Sequence, residues 1–351
     1  VKLNKQTLLP KLALISAILP KSSSKPITEC ILFDNGKLYA TDMTTALEIP
    51  VGDTETLCID GKRFIAIIKA FSGNDIDIIV KDGIAKITDG KSKFELTVIA
   101  DNSDFPVMPN LQETPISLDG EKLGDVFSHA INFVSEDNLR AVLTGIFVEN
   151  NATNLNLVST DSVRLFKYAM PAVNADLNLI IPANSVKLLK QFAGKDLSIA
   201  SNDSIIQFVS NGTRLVSRLI NGKYPNYTAI IPASNGSKLT FKTADILSSI
   251  NRASLAANQV TCLIKFKLSA NQLTLISQDS NSASQYEETL ACEWAGEETT
   301  IGFNYKKLVS ILSIIKGDAV MLINTSKKPV IINDTADPDL LTLIMPSSVE
   351  G

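Results

Sequence analysis

The chain has 351 residues, a formal net charge of −4 and 45% hydrophobic residues, the profile of an ordinary globular protein with room for two or three cores. Its four cysteines, Cys30, Cys58, Cys262 and Cys292, stand far apart, which excludes zinc-ribbon spacing and predicts reduced thiols in a reducing, cytoplasmic compartment. No apolar run approaches the length of a membrane span.

From the N-terminus, Leu8, Leu12, Ile15 and Leu19 fall on one face of a helix predicted over about 6–19. Pro10, Lys11 and the Pro20-Lys21 pair break what would otherwise read as a secretory leader. Strands are predicted over about 29–34, 37–41 and 46–50, a helix over about 62–71, and strands over about 76–81, 84–88 and 93–99. Asp34-Asn35-Gly36 and Lys81-Asp82-Gly83 are the turns that punctuate them. The middle third repeats the pattern, with helices over about 121–134 and 184–193, the second closed by Gly194. The last third has helices over about 243–257 and 305–316, the second closed by Gly317. Linkers are expected at Pro109–Pro115 and Ala233–Ser237, where small and polar residues gather. The prediction is six helices and much antiparallel sheet, an α+β protein of three domains at 1–112, 113–235 and 236–351.

Three landmarks drift together through the chain and carry that division. A strand ends in a polar turn at Asp42, Asp161 and Asp279, spaced 119 and 118 residues apart. An isoleucine precedes a helix at Ile59, Ile181 and Ile301, spaced 122 and 120 apart. A β-rich run closes at Pro109, Pro232 and Pro346, spaced 123 and 114 apart. Units of this size hold their own cores, unlike solenoid repeats. Function therefore belongs to what like domains build jointly.

The charge is unevenly placed. The predicted helices carry twelve lysines and arginines against three acids, Glu121, Asp125 and Asp245, so the remainder of the chain is strongly acidic. Such a split points to a helical face turned toward a polyanion, although lysines also decorate solvated helices without purpose. Catalytic chemistry is absent from the pattern. His129 is the single histidine and reads as a half-buried structural imidazole on a helix. Gly61-Lys62-Arg63 and Gly194-Lys195-Asp196 lack the remainder of a phosphate-binding loop, and no carboxylates are spaced for a metal. The repeated aspartates read as strand terminators. No cofactor and no enzymatic activity are expected.

The stretches NLNLVSTDSVRLFKYAMP, RLINGKYPNYTAIIP, IGFN and LTLIMP, in this order, resemble the β subunit of bacterial DNA polymerase III, the β sliding clamp family, over essentially the whole length. The resemblance implies a head-to-tail homodimer closed into a ring, with helices lining a central hole and antiparallel sheets outside. It implies sequence-independent contact with duplex DNA, for which Lys11, Lys62, Arg63, Lys187, Lys190, Arg252, Lys306 and Lys307 are the candidate cations. It also implies a cleft taking short motifs from the replicative polymerase, the clamp loader and other partners. Carried over residue by residue, that cleft is Leu143, Thr160, Arg164, Leu165, Pro225, Ile230, Leu343, Met345 and Pro346. Phe105 and Leu255 are the expected apolar contacts of the dimer. The chain departs from the family at Ser162-Val163, where Gly and an aromatic or His are usual, at Ala183-Asn184 and Ala229, where basic residues are common, and in running on through Ser347–Gly351. The other class of protein that fits three β-rich repeats is a scaffold or adhesion module without DNA, which leaves the charge split and the four stretches unexplained. A repeat-built hydrolase lacks its catalytic set.

Overall fold

A computed structural model describes residues 1–99, 101–106, 110–232 and 236–349. The Pro109 landmark, most of the Ala233–Ser237 linker and the end of the tail at Glu350 and Gly351 lie outside the described residues. The chain gathers into two compact units, Val1–Ser128 with Ile181–Asn221, and His129–Ile180 with the residues from Gly222 onward. The middle repeat is therefore divided between them.

Helices form where the apolar spacing places them. Helix α1 (Lys5–Ile18) starts at Asn4, whose side chain accepts from the amides of Gln6 and Thr7, and it buries Leu8, Leu12 and Ile15. It runs through Pro10, its sixth residue, and so forgoes the backbone bond an N–H there would give to Gln6 O. Helix α2 (Gly61–Ala70) is capped by Asp60 on the Arg63 amide. Helix α3 (Gly120–Ala130) ends in a 3-10 turn over Ile131–Phe133. The single helix expected over 184–193 is instead two short turns, α4 (Ala183–Val186) and α5 (Leu189–Phe192). The residues between them stay right-handed, but Gln191 N bonds to Leu188 O, three residues back, which tightens the coil. Helices α6 (Thr243–Ser254) and α7 (Tyr305–Leu312) complete the set, both shorter than expected.

Gly194 and Gly317 do not act as left-handed helix caps, since neither has a positive φ. Close packing accounts for Gly317, and much more weakly for Gly194. A Cβ on Gly194 would lie 3.2 Å from Asn211 Nδ2, and one on Gly317 would lie 2.5 Å from Thr335 Oγ1.

In the first unit an eight-stranded antiparallel sheet runs Leu57–Asp60, Cys30–Asp34, Lys37–Thr41, Thr45–Pro50, Thr213–Arg218, Ile205–Ser210, Leu197–Ser201, Ile116–Leu118. First and middle repeats join at its centre, where Leu47 pairs with Leu215 and Thr45 with Ser217. A four-stranded sheet ends on Lys93–Thr97. The expected hairpin turns at Asn35-Gly36 and Asp82-Gly83 are present with both central residues at positive φ, the twist that suits a tight hairpin.

In the second unit a larger sheet has eight of its nine strands wholly inside the unit. They run Gly145–Asn150, Asn154–Thr160, Arg164–Pro171, Leu340–Ile344, Val330–Asp334, Ala319–Ile323, Ser237–Phe241, Glu293–Trp294. Middle and last repeats join where Arg164–Tyr168 pairs with Leu340–Ile344. A second four-stranded sheet runs from Ser284–Ala291 to Thr299–Asn304. Cys30, Cys58 and Cys262 are buried, Cys292 is half-buried, and all four are free thiols. No helix among the described residues is long and apolar enough to cross a membrane.

Candidate functional site

All nine cleft candidates fall in the second unit. Leu165 and Leu343 are cross-strand partners at the seam, 0% and 1% exposed, and with Leu143, also buried, they are the candidate floor of the cleft. Fully burying a leucine contributes roughly 1.5–3 kcal/mol, so these residues hold the seam together before any ligand arrives. The rim is different. Ile230, ending a 3-10 turn over Tyr227–Ile230, is 46% exposed, a large apolar side chain left in water. Pro225 is exposed, while Met345 and Pro346 are half-buried.

The loop carrying Pro225 and Ile230 is fixed by aromatic contacts. Tyr224 stacks on Phe147 with centroids 4.8 Å apart, and Tyr227 donates to Glu149 Oε2 at 2.7 Å. Burial, then the Glu149 carboxylate, pushes the Tyr227 phenol up. At the start of the loop Gly222 has φ +137, and a Cβ there would meet Val142 Cγ1 at 2.7 Å. The loop therefore lies against the neighbour of Leu143.

The opposite rim is the turn Thr160–Arg164. Thr160 Oγ1 donates to Arg164 O at 2.5 Å and accepts from Ser162 N at 3.1 Å. Asp161 Oδ1 accepts from the amides of Val163 (3.0 Å) and Arg164 (2.7 Å). Ser162 sits at φ +72, in the left-handed region that glycine adopts without strain. Its hydroxyl accepts from Arg140 Nη1 at 3.0 Å.

Asp161 does more than end a strand. Its Oδ2 accepts from Arg164 Nε (3.1 Å) and Nη2 (2.9 Å) and from Lys307 Nζ (2.5 Å). Arg164 also donates to Ser310 Oγ and to Asn132 O (2.9 Å), and its guanidinium lies 5.0 Å from the Phe133 ring centroid. Burial pushes the Asp161 carboxyl up. The Lys307 ammonium, the Arg164 amide, the Arg164 guanidinium and the Val163 amide outweigh it and hold the group below its ordinary value of 3.8. Sequence reasoning placed Arg164 at the cleft but assigned Lys307 to DNA, and it missed the role of Asp161. A periodicity could have hinted at the pairing: Lys307 is the third residue of α7, as Ser185 is of α4.

The chain continues past the cleft in a defined way. Met345 N donates to Val163 O, and Ser347 N donates to Gly302 O, both at 2.8 Å. The tail through Val349 is thus laid on the edge strand Thr299–Asn304 at Gly302, where a Cβ would meet Val349 Cγ1 at 2.8 Å.

The candidate DNA cations divide into two groups. Lys62, Arg63, Lys187 and Lys306 are exposed on their helices, although Arg63 has Asp60 at 3.8 Å and Lys62 donates to Lys21 O. The remainder are engaged within the chain: Lys11 by Pro50 O (2.6 Å), Lys190 by Asp125 (2.9 Å), Arg252 by Glu288 (2.7 Å), and Lys307 by Asp161. Of the dimer candidates, Leu255 is 85% exposed, but Phe105 is 5% exposed in a core with Cys30, Leu32 and Cys58. Phe105 therefore needs correction: its ring is spent on its own core and offers little surface to a partner. Among the described residues no group of three or more His, Cys, Asp or Glu could hold a metal ion.

Comparison with known proteins identifies relatives of the chain. The family model for the DNA polymerase III beta subunit, central domain, matches residues 118–226, and that for the C-terminal domain matches residues 228–348. The beta sliding clamp of Chlamydia muridarum is 27% identical over 350 residues, covering 95% of this chain and 94% of that protein. The beta sliding clamp of Staphylococcus aureus is 27% identical over 307 residues, covering 85% and 81%. Among solved structures, the sliding clamp of Bartonella birtlesii bound to griselimycin superposes with a TM-score of 0.93 at 23% identity, covering 99% of both chains. The DNA polymerase III beta subunit of Thermotoga maritima gives 0.91 at 20% identity, again over 99% of both.

Proposed function

The chain belongs to the β sliding clamp family, the β subunits of bacterial DNA polymerase III, and from that premise we propose how its residues do a clamp's work. It acts as a non-catalytic, cytoplasmic processivity factor that encircles duplex DNA and tethers the replicative polymerase. The clamp loader and other motif-bearing proteins use the same cleft. One observation supports this reading: a buried Leu165–Leu343 pair at the seam in the same unit as an exposed Ile230, with the Tyr224–Tyr227 loop and the Thr160–Arg164 turn each fixed by their own stacking and hydrogen bonds. An apolar floor supplies the burial, and Met345 adapts to varied side chains. Griselimycin, bound by the Bartonella relative, is a ready probe for this chain.

Lys62, Lys187 and Lys306, with Arg63 in its longer 3.8 Å pair to Asp60, carry the DNA contact, and the cations held in closer pairs contribute less. Phosphate contacts without base contacts let the ring slide. A homodimer closes the ring from three domains per chain, divided at 1–112, 113–235 and 236–351. Open edge strands Lys93–Thr97 and Ser284–Ala291, with exposed Leu255 and Val260, support a joint between the first and last repeats.

The test joins solution mass to retention. The protein should sediment as a dimer at micromolar concentration and, once loaded, stay on circular DNA but run off linear DNA. Reversing Lys62, Lys187 and Lys306 to Glu should abolish loading while shifting stability by no more than about 0.5 kcal/mol per site. A monomer, or equal retention on both DNA forms, would reject the ring.

A further inference from the structure

The structure assigns Asp161 as the positioning residue of the partner cleft, acting through Lys307 and Arg164 and not by touching a partner; this rests on the cleft reading above. The two oxygens of Asp161 have separate tasks. Oδ1 closes the Thr160–Arg164 turn by accepting two backbone amides, a task an asparagine oxygen performs equally well. Oδ2 gathers Arg164 of the middle repeat and Lys307 of the last repeat onto one atom. Arg164 reaches on to Ser310, one turn along α7 from Lys307. The turn that bears Val163, and with it the Met345 amide, is thereby tied to α7 by charge, side by side with the Leu165–Leu343 pair. The side chains of Asp161 and Arg164 are 10% and 11% exposed, so water screens this knot weakly.

The first repeat holds the same turn without the knot. Asp42 Oδ1 accepts from Thr44 N (2.9 Å) and Thr45 N (2.6 Å), and its other oxygen has no hydrogen-bond partner among the described residues. The carboxylate at 42 is thus needed only as an acceptor, whereas that at 161 is needed as a charge.

The experiment compares Asp161→Asn with Asp42→Asn in the full chain, titrating a fluorescent peptide that carries a polymerase clamp-binding motif. Asp161→Asn keeps the turn and loses the knot, so affinity should fall about tenfold, while Asp42→Asn should bind as the parent does. Lys307→Met should show the same loss, and the double change Asp161→Asn/Lys307→Met should be no worse than either alone, because both act through one contact. Lys307→Arg, which preserves the charge and reach, should restore most of the affinity. Wild-type affinity for Asp161→Asn, equal losses at 42 and 161, or additive losses at 161 and 307 would each overturn the assignment. Met345→Ala serves as the reference. If it leaves peptide binding unchanged, the cleft itself is misplaced; if it weakens binding while the Asp161 and Lys307 variants do not, only the positioning role fails.

Discussion

The seam between first and middle repeats and the seam between middle and last repeats are built on one plan and finished differently. In both, a leucine pair crosses the join, Leu47 with Leu215 and Leu165 with Leu343. In both, a Thr-Asp turn precedes the seam strand, with the threonine hydroxyl and one aspartate oxygen accepting the same set of amides. The filling then diverges. At the first seam Thr45, Ser185 and Ser217 form a buried chain of hydroxyls at 2.7 and 2.6 Å, small, neutral and closed. At the second, Arg164 replaces threonine, Lys307 replaces serine, and Asp161 sits between them. Long charged side chains tie the second turn to α7, whereas short hydroxyls tie the first seam to α4. Half-buried Met345 directly follows the second seam strand, and Ile230 is exposed in the same unit. Like backbone pairing thus carries a neutral hydroxyl chain in one unit and a charged knot in the other.

The comparison can be broken most forcefully at the leucines. Leu47→Ala and Leu165→Ala should each cost about 2–5 kcal/mol of stability, since both are fully buried cross-strand partners. Denaturant melts should show similar losses for the two, whereas only Leu165→Ala should also weaken motif-peptide binding. If Leu47→Ala weakened the peptide equally, the two seams would not be functionally distinct.

A smaller effect is expected at the rim. Met345→Ala should lower peptide affinity by about 2 kcal/mol, more than tenfold, and leave the melt nearly unchanged because the side chain is only half-buried. Removing residues 347–351 sharpens the point: the tail is seated on Gly302 by one backbone bond, so its loss should weaken binding less than Met345→Ala does. A rise in affinity on truncation would mean that the tail covers the groove.

At the first seam Ser185→Ala removes the partner shared by Thr45 and Ser217. Leaving a buried hydroxyl unpaired should cost about 1–3 kcal/mol in a thermal melt, with peptide binding untouched. The smallest change concerns the two strained turns. Met43 and Ser162 lie at φ +75 and +72, where asparagine is better tolerated. Met43→Asn and Ser162→Asn should each raise stability by up to about 1 kcal/mol, less at 162, where the hydroxyl bond to Arg140 is forfeited. A loss at both positions would show that these side chains matter more than the backbone strain.

Much of this was written in local chemistry. Apolar spacing located the helices from Leu8, Leu12 and Ile15 onward, Asn-Gly and Asp-Gly located hairpins at 36 and 83, and the recurring Asp turns revealed the repeat, because each depends on neighbours within a few residues. Family resemblance named Leu165 and Leu343 together, and the fold pairs them across the seam. What local chemistry could not reveal were distances between residues remote in sequence. The Lys307 ammonium could serve DNA or Asp161, and only the fold, joining residues 146 positions apart, decided for Asp161. Phe105 looked like an interface residue until packing set it against Cys30 and Cys58. Gly194 and Gly317 looked like left-handed caps, but neither has a positive φ, and at Gly317 the segment Asp334–Ala336 leaves no room for a Cβ. Periodicity determines which face of an element is buried; what that face is buried against is decided by tertiary packing, and with it whether a charge stays free or becomes part of a joint.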